Sequence, residues 1–358
     1  DAAPSGSASA NPAPSGSASA APVVKGFAFP APKSGILSPA DADKLAPTGG
    51  RGKVRVLDAG KEPLAAMAYT PTKGASQPLR VDFGVKMSIA TAGQAMPKVV
   101  VPPQSEDVDV VTEEVDEATG ALVAMLLRGV TMKTTDGVDQ ATADEMTKQL
   151  AGLKGYAFRE RVSSHGEASQ PKTELPASFP KGAEQLVQNM NGAFQAMIPR
   201  LPDEAIGVGA KWQVLSREAP SGTSLVQLTE YTLKERSGTR ATLDYSARQL
   251  AASDAIKLPT GVPEGVTTKL AKFSMVITGT VTIDTKEMAP VKGRTSHDSK
   301  LTINIVAPGQ DKAAANVQVQ ADVDMKMSVT VARRSGAATT AAPAVSATAT
   351  ATAAATTP

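Results

Sequence analysis

From Val81 to Ile89 every second residue is apolar (Val81, Phe83, Val85, Met87, Ile89), while Asp82, Lys86 and Ser88 fall between them. A period of two predicts a β-strand with one dry face and one wet face. The strongest alternation in the chain runs through Val317, Val319, Ala321, Val323, Met325, Met327, Val329 and Val331, with Gln318, Gln320, Asp322, Asp324, Lys326, Ser328 and Thr330 as its polar partners. Further strands are predicted at Val54–Leu57, at Val99–Val101 (stopped by Pro102 and Pro103), at Tyr156–Val162, at Phe273–Ile283 and at Val291–Ile305. Two hairpins follow from turn chemistry. Val108–Val115 and Ala121–Met132 flank Glu117–Gly120, and Leu225–Leu233 and Ala241–Ala247 flank Arg236–Thr239. Pro63, Pro71 and Pro78 argue against regular structure before Leu79. Asp139–Leu153 reads as a helix capped by Asp139, Leu258–Pro263 as a loop, and Glu264–Ala271 as one or two helical turns.

The pattern changes between Pro180 and Trp212. Leu186, Met190, Phe194, Met197 and Ile198 form one stripe of a helix, which breaks at Pro199 and Pro202 and runs into Ile206-Gly207-Val208-Gly209-Ala210-Lys211-Trp212. A strand-rich half lies on either side. The Val81 and Val317 segments resemble each other, so they either pair or hold equivalent places in two duplicated halves. Strands that alternate cleanly belong to antiparallel sheets, because parallel strands buried on both faces read as continuous apolar runs. The expected fold is therefore α+β and mostly antiparallel β: long curved sheets of two similar halves wrapped on a central amphipathic helix. The expected divisions are a disordered tether and Pro-rich lead-in (1–52), a first strand-rich half (53–178), the central helix and Gly-Trp turn (179–212), a second strand-rich half (213–335) and a disordered Ala/Thr tail (336–358).

Composition narrows the function. With 37 basic and 35 acidic residues among 358, net +2, the chain lacks the charge excess of a nucleic-acid binder, and 3% aromatics leave few stacking platforms. The absence of cysteine excludes disulfides, thiol catalysis and Cys-based zinc sites. No apolar run approaches the length of a membrane span. Residues 1–22 are rich in Ala, Ser, Pro and Gly and repeat the octapeptide Ala-Pro-Ser-Gly-Ser-Ala-Ser-Ala at Ala3–Ala10 and Ala13–Ala20. Such a segment cannot bury enough surface to offset its chain entropy and reads as a flexible tether. A tether of this kind implies an extracytoplasmic protein of the periplasm or cell envelope, held at the membrane only through an inferred N-terminal lipid anchor.

The candidate ligand-binding residues are apolar. Met87, Met125, Leu186, Met190, Phe194, Met197, Met275 and Met325 fall on the predicted inner faces, with Met132 and Met327 beside them. Flexible thioethers adapt to varied apolar surfaces. They serve either an apolar ligand, such as a lipid, held between sheet and helix, or the filled core of an envelope module that binds another protein. Catalysis has no candidate: Ser296-His297-Asp298 sit side by side, and neighbours on a strand point to opposite faces. His165 stands in a polar, exposed loop. The acidic run Glu106, Asp107, Asp109, Glu113, Glu114, Asp116 and Glu117 lacks the Gly-punctuated loop of a calcium site and reads as a solvated edge strand. Asp322 and Asp324 lie on the wet face of the last strand. Neither a metal nor a cofactor is expected, and Gly207 and Gly209 lack the context of a phosphate loop.

The segment Leu201-Pro202-Asp203-Glu204-Ala205-Ile206-Gly207-Val208-Gly209-Ala210-Lys211-Trp212 resembles the mid-chain Pro…Val-Gly-x-x-Trp motif of a family of bacterial secreted lipoproteins of unknown function. Ala210 stands where that family carries an acidic residue. The resemblance implies a tether, strands on both sides of the motif and an envelope location. It implies no activity. In physical terms the glycines permit a tight turn that lets Trp212 anchor the second half against the helix.

Overall fold

The computed structural model describes residues 24–334 apart from 92–93, 97–98, 180–183, 219–222, 257–265 and 308–316. The repeated tether, the Ala/Thr tail, the Leu258–Pro263 loop and the start of the Glu264–Ala271 segment lie outside the described residues, or nearly so. The strands are β1 (Lys53–Asp58), β2 (Ser76–Thr91), β3 (Gln94–Ala95), β4 (Val99–Val100), β5 (Gln104–Asp116), β6 (Gly120–Met132), β7 (Ala157–Val162), β8 (Ala168–Glu174), β9 (Lys211–Glu218), β10 (Leu225–Ser237), β11 (Arg240–Ala251), β12 (Thr267–Asp284), β13 (Lys292–Ala307) and β14 (Val317–Arg333). All belong to one sheet of order β1-β9-β10-β11-β12-β13-β14-β2-β5-β6-β7-β8, with β3 and β4 also paired to β2. Every strand pairing is antiparallel.

One sheet therefore holds both halves. The seam is β14 on β2, where Val331 faces Val81, Val329 faces Phe83 and Met325 faces Met87. The two look-alike segments pair with one another, and their odd-numbered residues share one face, buried at Leu79, Val81, Val329 and Val331. The hairpin turns form as their residues require: Gly120 and Gly238 both adopt positive φ (86° and 59°).

Among the described residues three α-helices accompany the sheet. Helix α1 (Pro39–Leu45) is capped by Ser38, whose side chain accepts from the Asp41 amide, and has Pro39 in its first turn. Its Ala42, with Leu37 and Ala46, covers the outer face of β9–β11 at Leu215, Val226, Leu228 and Leu250. Helix α2 (Gln140–Leu150) is capped by Asp139 as expected and packs Ala143 and Met146 near Met132 and Val138. Helix α3 (Glu184–Met197) stops ahead of Pro199. Its Val187, Met190 and Phe194, followed by Ile198, join a core cluster that also takes residues from β2, β5, β6, β7, β9, β10, β11, β12 and β14.

Four readings of the sequence are corrected. Thr267–Ala271 is the start of β12, not helix: a bulge at Ala271 sets Leu270 and Phe273 three apart yet leaves both buried, which imitates helical spacing. Pro78 lies inside β2, where it is tolerated because the β14 ladder ends at Leu79 and only the Pro78 carbonyl is engaged, by the Arg334 amide. The acidic run is not a solvated edge, for β5 lies between β2 and β6, Glu106 is buried, and Asp107, Asp109 and Glu113 pair with Arg80, Arg128 and Arg159. His165 is half-buried, with Nδ1 3.3 Å from Asp203 Oδ1. Four elements have no counterpart in the sequence reading: α1, hidden among prolines, the two-residue β3, the edge strand β8, and β9, which starts within the Gly-Trp turn.

Candidate functional site

One transverse row organises the sheet. Trp212 on β9 pairs with Tyr231 on β10, then Tyr245 on β11, Gly279 on β12, Thr295 on β13, Val329 on β14 and Phe83 on β2. The Trp212 and Tyr231 rings stack with centroids 5.3 Å apart, and Tyr231 and Tyr245 follow at 5.7 Å. Gly279 leaves room for the last ring: a Cβ there would lie 2.7 Å from Tyr245. The Tyr245 hydroxyl thus reaches across β12 to Thr295 Oγ1 at 2.6 Å.

On one side of this row the sheet is closed. Leu233, Leu243, Val281, Val331 and Val81 are all buried in the cluster that contains Met190 and Phe194 of α3. Phe194 meets Phe158 of β7 edge to face at 6.0 Å. Polar groups hold the surrounding chain in place. Trp212 Nε1 donates to the Arg200 carbonyl at 2.8 Å, Tyr69 Oη to the Pro199 carbonyl, and the Leu201 amide to the His165 carbonyl. Arg200 Nη2 lies 3.5 Å from Glu167 Oε1 and donates to the Gly52 carbonyl, so the approaches to the two terminal strands, β1 and β8, are bridged. Two carboxyls are buried here. Glu106 and Glu160 are each pushed up to about 7, chiefly by burial and only partly offset by hydrogen bonds from Gln104 and Gln195. Glu160 Oε1 has no partner.

On the other side the inner face is covered only in part by the described residues: Ser299 and Ile277 are buried, but much of the rest is not. Three rows in register cross it: Ile277–His297–Met327–Val85, then Met275–Ser299–Met325–Met87, then Leu301–Val323–Ile89. Val85, Met87, Ile89, Val323 and Met325 are only half-buried and join none of the hydrophobic clusters among the described residues. The reverse face of the same strands is exposed and polar, with Lys86, Ser88, Ser296, Asp298, Lys300, Asp322, Asp324 and Lys326. Ser296 and Asp298 therefore lie on the face opposite His297, and the three do not converge. Burial among apolar neighbours pushes the His297 imidazole down to about 4, so it is neutral at physiological pH.

The eight candidate residues split between these two regions. Met125, Met190 and Phe194 are 2%, 4% and 0% exposed and sit inside the closed core, with Met197 packed on its flank. Met87, Met275 and Met325 share one row of the open face, although Met275 also packs toward Leu270 and Phe273. The side chain of Leu186 lies outside the described residues. The two best-formed hollows among the described residues, about 390 and 340 Å³, are lined by Lys33, Lys272 and Asp324 and by Thr135 and Asp139; neither borders Met190 or Phe194. Alternation had already placed Val85, Ile89 and Val323 on the inner face, but only the register shows them aligned. Gln227 and Gln249 also lie on that face, and the alternation gives no sign of them, because they are polar residues at inward positions of their strands.

The two motif glycines act differently. Gly209 has φ 90° and shapes the turn in which the Ala210 amide donates to the Gly207 carbonyl. Gly207 is required by close approach, since a Cβ there would stand 1.8 Å from the Lys61 carbonyl oxygen. Gly207→Ala is expected to destabilise by about 1–3 kcal/mol through forced backbone displacement, read as a lower urea midpoint with an unchanged slope.

No family model matches the chain, and no curated protein matches it. Among solved structures it is similar to lipovitellin, in a study of that protein's lipid–protein interactions, with TM-score 0.42 and 11% identity over 77% of this chain. The chain spans about a quarter, 26%, of the lipovitellin chain. OpdL of Pseudomonas aeruginosa (TM-score 0.18, 9% identity, 72% of this chain and 98% of that one) and the TodX monoaromatic hydrocarbon channel in a deltaS2 mutant (0.17, 7%, 73% and 90%) follow. All three scores are too low for a shared fold to follow.

Proposed function

We propose that the protein is an extracytoplasmic carrier or holder of an apolar chain, such as a lipid acyl chain, and that the chain lies on the open inner face rather than beside α3. In this reading the sheet curls around α3 at its closed side, which is scaffold, and leaves a trough at its open side. The observation that carries it is the set of three registered rows built from Val85, Met87, Ile89, Val323, Met325 and Met327. Here β12, β13 and β14 are interior to the sheet, and β2 is flanked by β14 on one side and by β5, β4 and β3 on the other, so a partner strand finds little free backbone to pair with. An acyl chain needs only apolar surface, and methionines adjust to its shape.

The test uses N-phenyl-1-naphthylamine, an uncharged dye that brightens in apolar surroundings. Saturable uptake is expected, and Met325→Lys should weaken it at least tenfold while the far-UV circular dichroism stays the same. Absence of uptake by the unmodified protein, or uptake indifferent to Met325→Lys, contradicts the proposal.

The second reading is an envelope module with a filled core and a protein partner. It draws on the complete burial of Phe194 and near-complete burial of Met125 and Met190. It predicts no uptake of the dye at all.

A further inference from the structure

The open face has a polar corner. On the inner side of β10 and β11, Gln227 Nε2 donates to Thr229 Oγ1 at 3.0 Å, and Gln249 Nε2 donates to Gln227 Oε1 at 2.6 Å. Gln249 is only 8% exposed, and its Oε1 is buried with no hydrogen-bond partner among the described residues. A buried amide oxygen left unpaired is costly, and such exceptions call for a reason. The relay can run in either sense, because an amide can turn over. Its last atom at Gln249 is then an acceptor in one sense and a donor in the other, and it lacks a partner in both.

Gln249 adjoins the apolar rows. It pairs with Met275, whose row continues through Ser299 to Met325 and Met87. A ligand chain lying along the methionines would place its head against this amide. The charge nearby is acidic: Glu218 lies one row beyond Gln227 on the same face of β9, its carboxyl raised by burial, and it accepts from Ser216 Oγ. Among the described residues His297, Tyr231 and Tyr245 are further titratable groups on the face, both tyrosines raised by burial, and the cation facing Glu218 is Arg200, which already serves Glu167 and Gly52.

Resting on the acyl-chain reading above, we infer that Gln249 is the head-group contact of the open face and that the ligand it selects is an uncharged, hydroxyl-bearing amphiphile. A hydroxyl both donates and accepts, so it completes the Thr229–Gln227–Gln249 relay in either sense. A carboxylate head only accepts, so it meets the relay in one sense alone, and burying its charge on an apolar face costs more than burying a hydroxyl. An alkane leaves the amide unpaired.

The experiment is displacement of N-phenyl-1-naphthylamine from the full chain at pH 8 by tetradecanol, monomyristoylglycerol, myristate and tetradecane. Tetradecanol or monomyristoylglycerol is expected to displace the dye at roughly tenfold lower concentration than myristate or tetradecane, the scale of one hydrogen bond to a buried group. Which of the two is stronger separates a simple alcohol from a glycerol ester as the natural head. Gln249→Leu should remove the hydroxyl advantage to within about twofold, with each displacement referred to that variant's own dye affinity. Equal displacement by tetradecanol and tetradecane in the unmodified protein overturns the inference, as does an advantage that survives Gln249→Leu. Should that variant not fold, the comparison within the unmodified protein and the isosteric Gln249→Met decide. Failure of the unmodified protein to take up the dye sinks the acyl-chain reading itself, whereas uptake without head-group preference sinks this inference alone.

Discussion

Trp212→Ala is expected to lower folding stability by about 3–5 kcal/mol, the range for deleting a large aromatic from a core that cannot collapse around the gap. Three losses coincide at this position. The indole is fully buried, so the surrounding side chains lose their contacts outright. Its stacking on Tyr231 ends, and with it the support for Tyr245 further along the row. The Arg200 carbonyl loses its donor, which loosens the segment that follows α3. Trp212→Phe keeps part of the stack but not the donor, and should fall between the two. Urea denaturation checks both, and a cost below about 1 kcal/mol for the alanine variant would show that the row does not organise the sheet.

Stability is expected to rise, not fall, when the pH drops from 8 to 5.5. Glu106 and Glu160 each have a folded value of about 7 against an ordinary value of 4.5. A carboxyl raised in the folded state favours folding in its protonated form. That contribution is complete below the unfolded value and is lost as the pH climbs through 7. Each carboxyl contributes about 2 kcal/mol at pH 5.5 relative to pH 8. His297 works against them: its folded value of about 4 lies below the ordinary 6.5, so its contribution is present above 6.5 and lost as the pH falls through 4. At pH 5.5 it subtracts about 1 kcal/mol, leaving a net gain of about 2–3 kcal/mol. Carboxylates lowered by hydrogen bonds, such as Asp116 and Asp139, act only in stronger acid. Denaturation midpoints across this range check the sign, and Glu160→Gln should remove about half of the carboxyl gain. A stability that rises monotonically toward pH 8 would mean that the two carboxyls are hydrated in the folded chain.

Much of the sheet was legible because its strands have one dry face and one wet face. In β2 and β14 the odd-numbered residues alternate without interruption, and both strands end within a few residues of where the pattern places them. What period-two reading cannot show is which strand lies beside which. The pairing of β14 with β2 is a contact across more than two hundred residues, and no local signal distinguishes it from duplication. Bulges mislead for a related reason. At Ala271 one extra residue shifts the phase, and a strand start takes on helical spacing. Burial failed to follow from residue type at Glu106, where an acidic neighbourhood concealed one residue that faces inward.

The candidate ligand residues show the same limit. Being methionine on an inner face does not separate a filled core from an open wall. Met125 and Met87 meet that description equally, yet one is 2% exposed and the other half-buried. What separates them is where α3 and the segment after it end relative to the Trp212–Tyr231–Tyr245 row. That depends on how the Pro199–Trp212 segment folds back, a tertiary matter settled by Gly207, Arg200 and Lys61.

The most direct measurement is the methyl spectrum of the protein labelled with ¹³C at its methionine methyl groups, titrated with tetradecanol. The signals of Met87, Met275, Met325 and Met327 should move together and saturate, while those of Met125 and Met190 stay in place. Movement confined to Met125 and Met190, or no saturable movement at any methionine, would contradict the assignment of the open face as the site of an apolar chain.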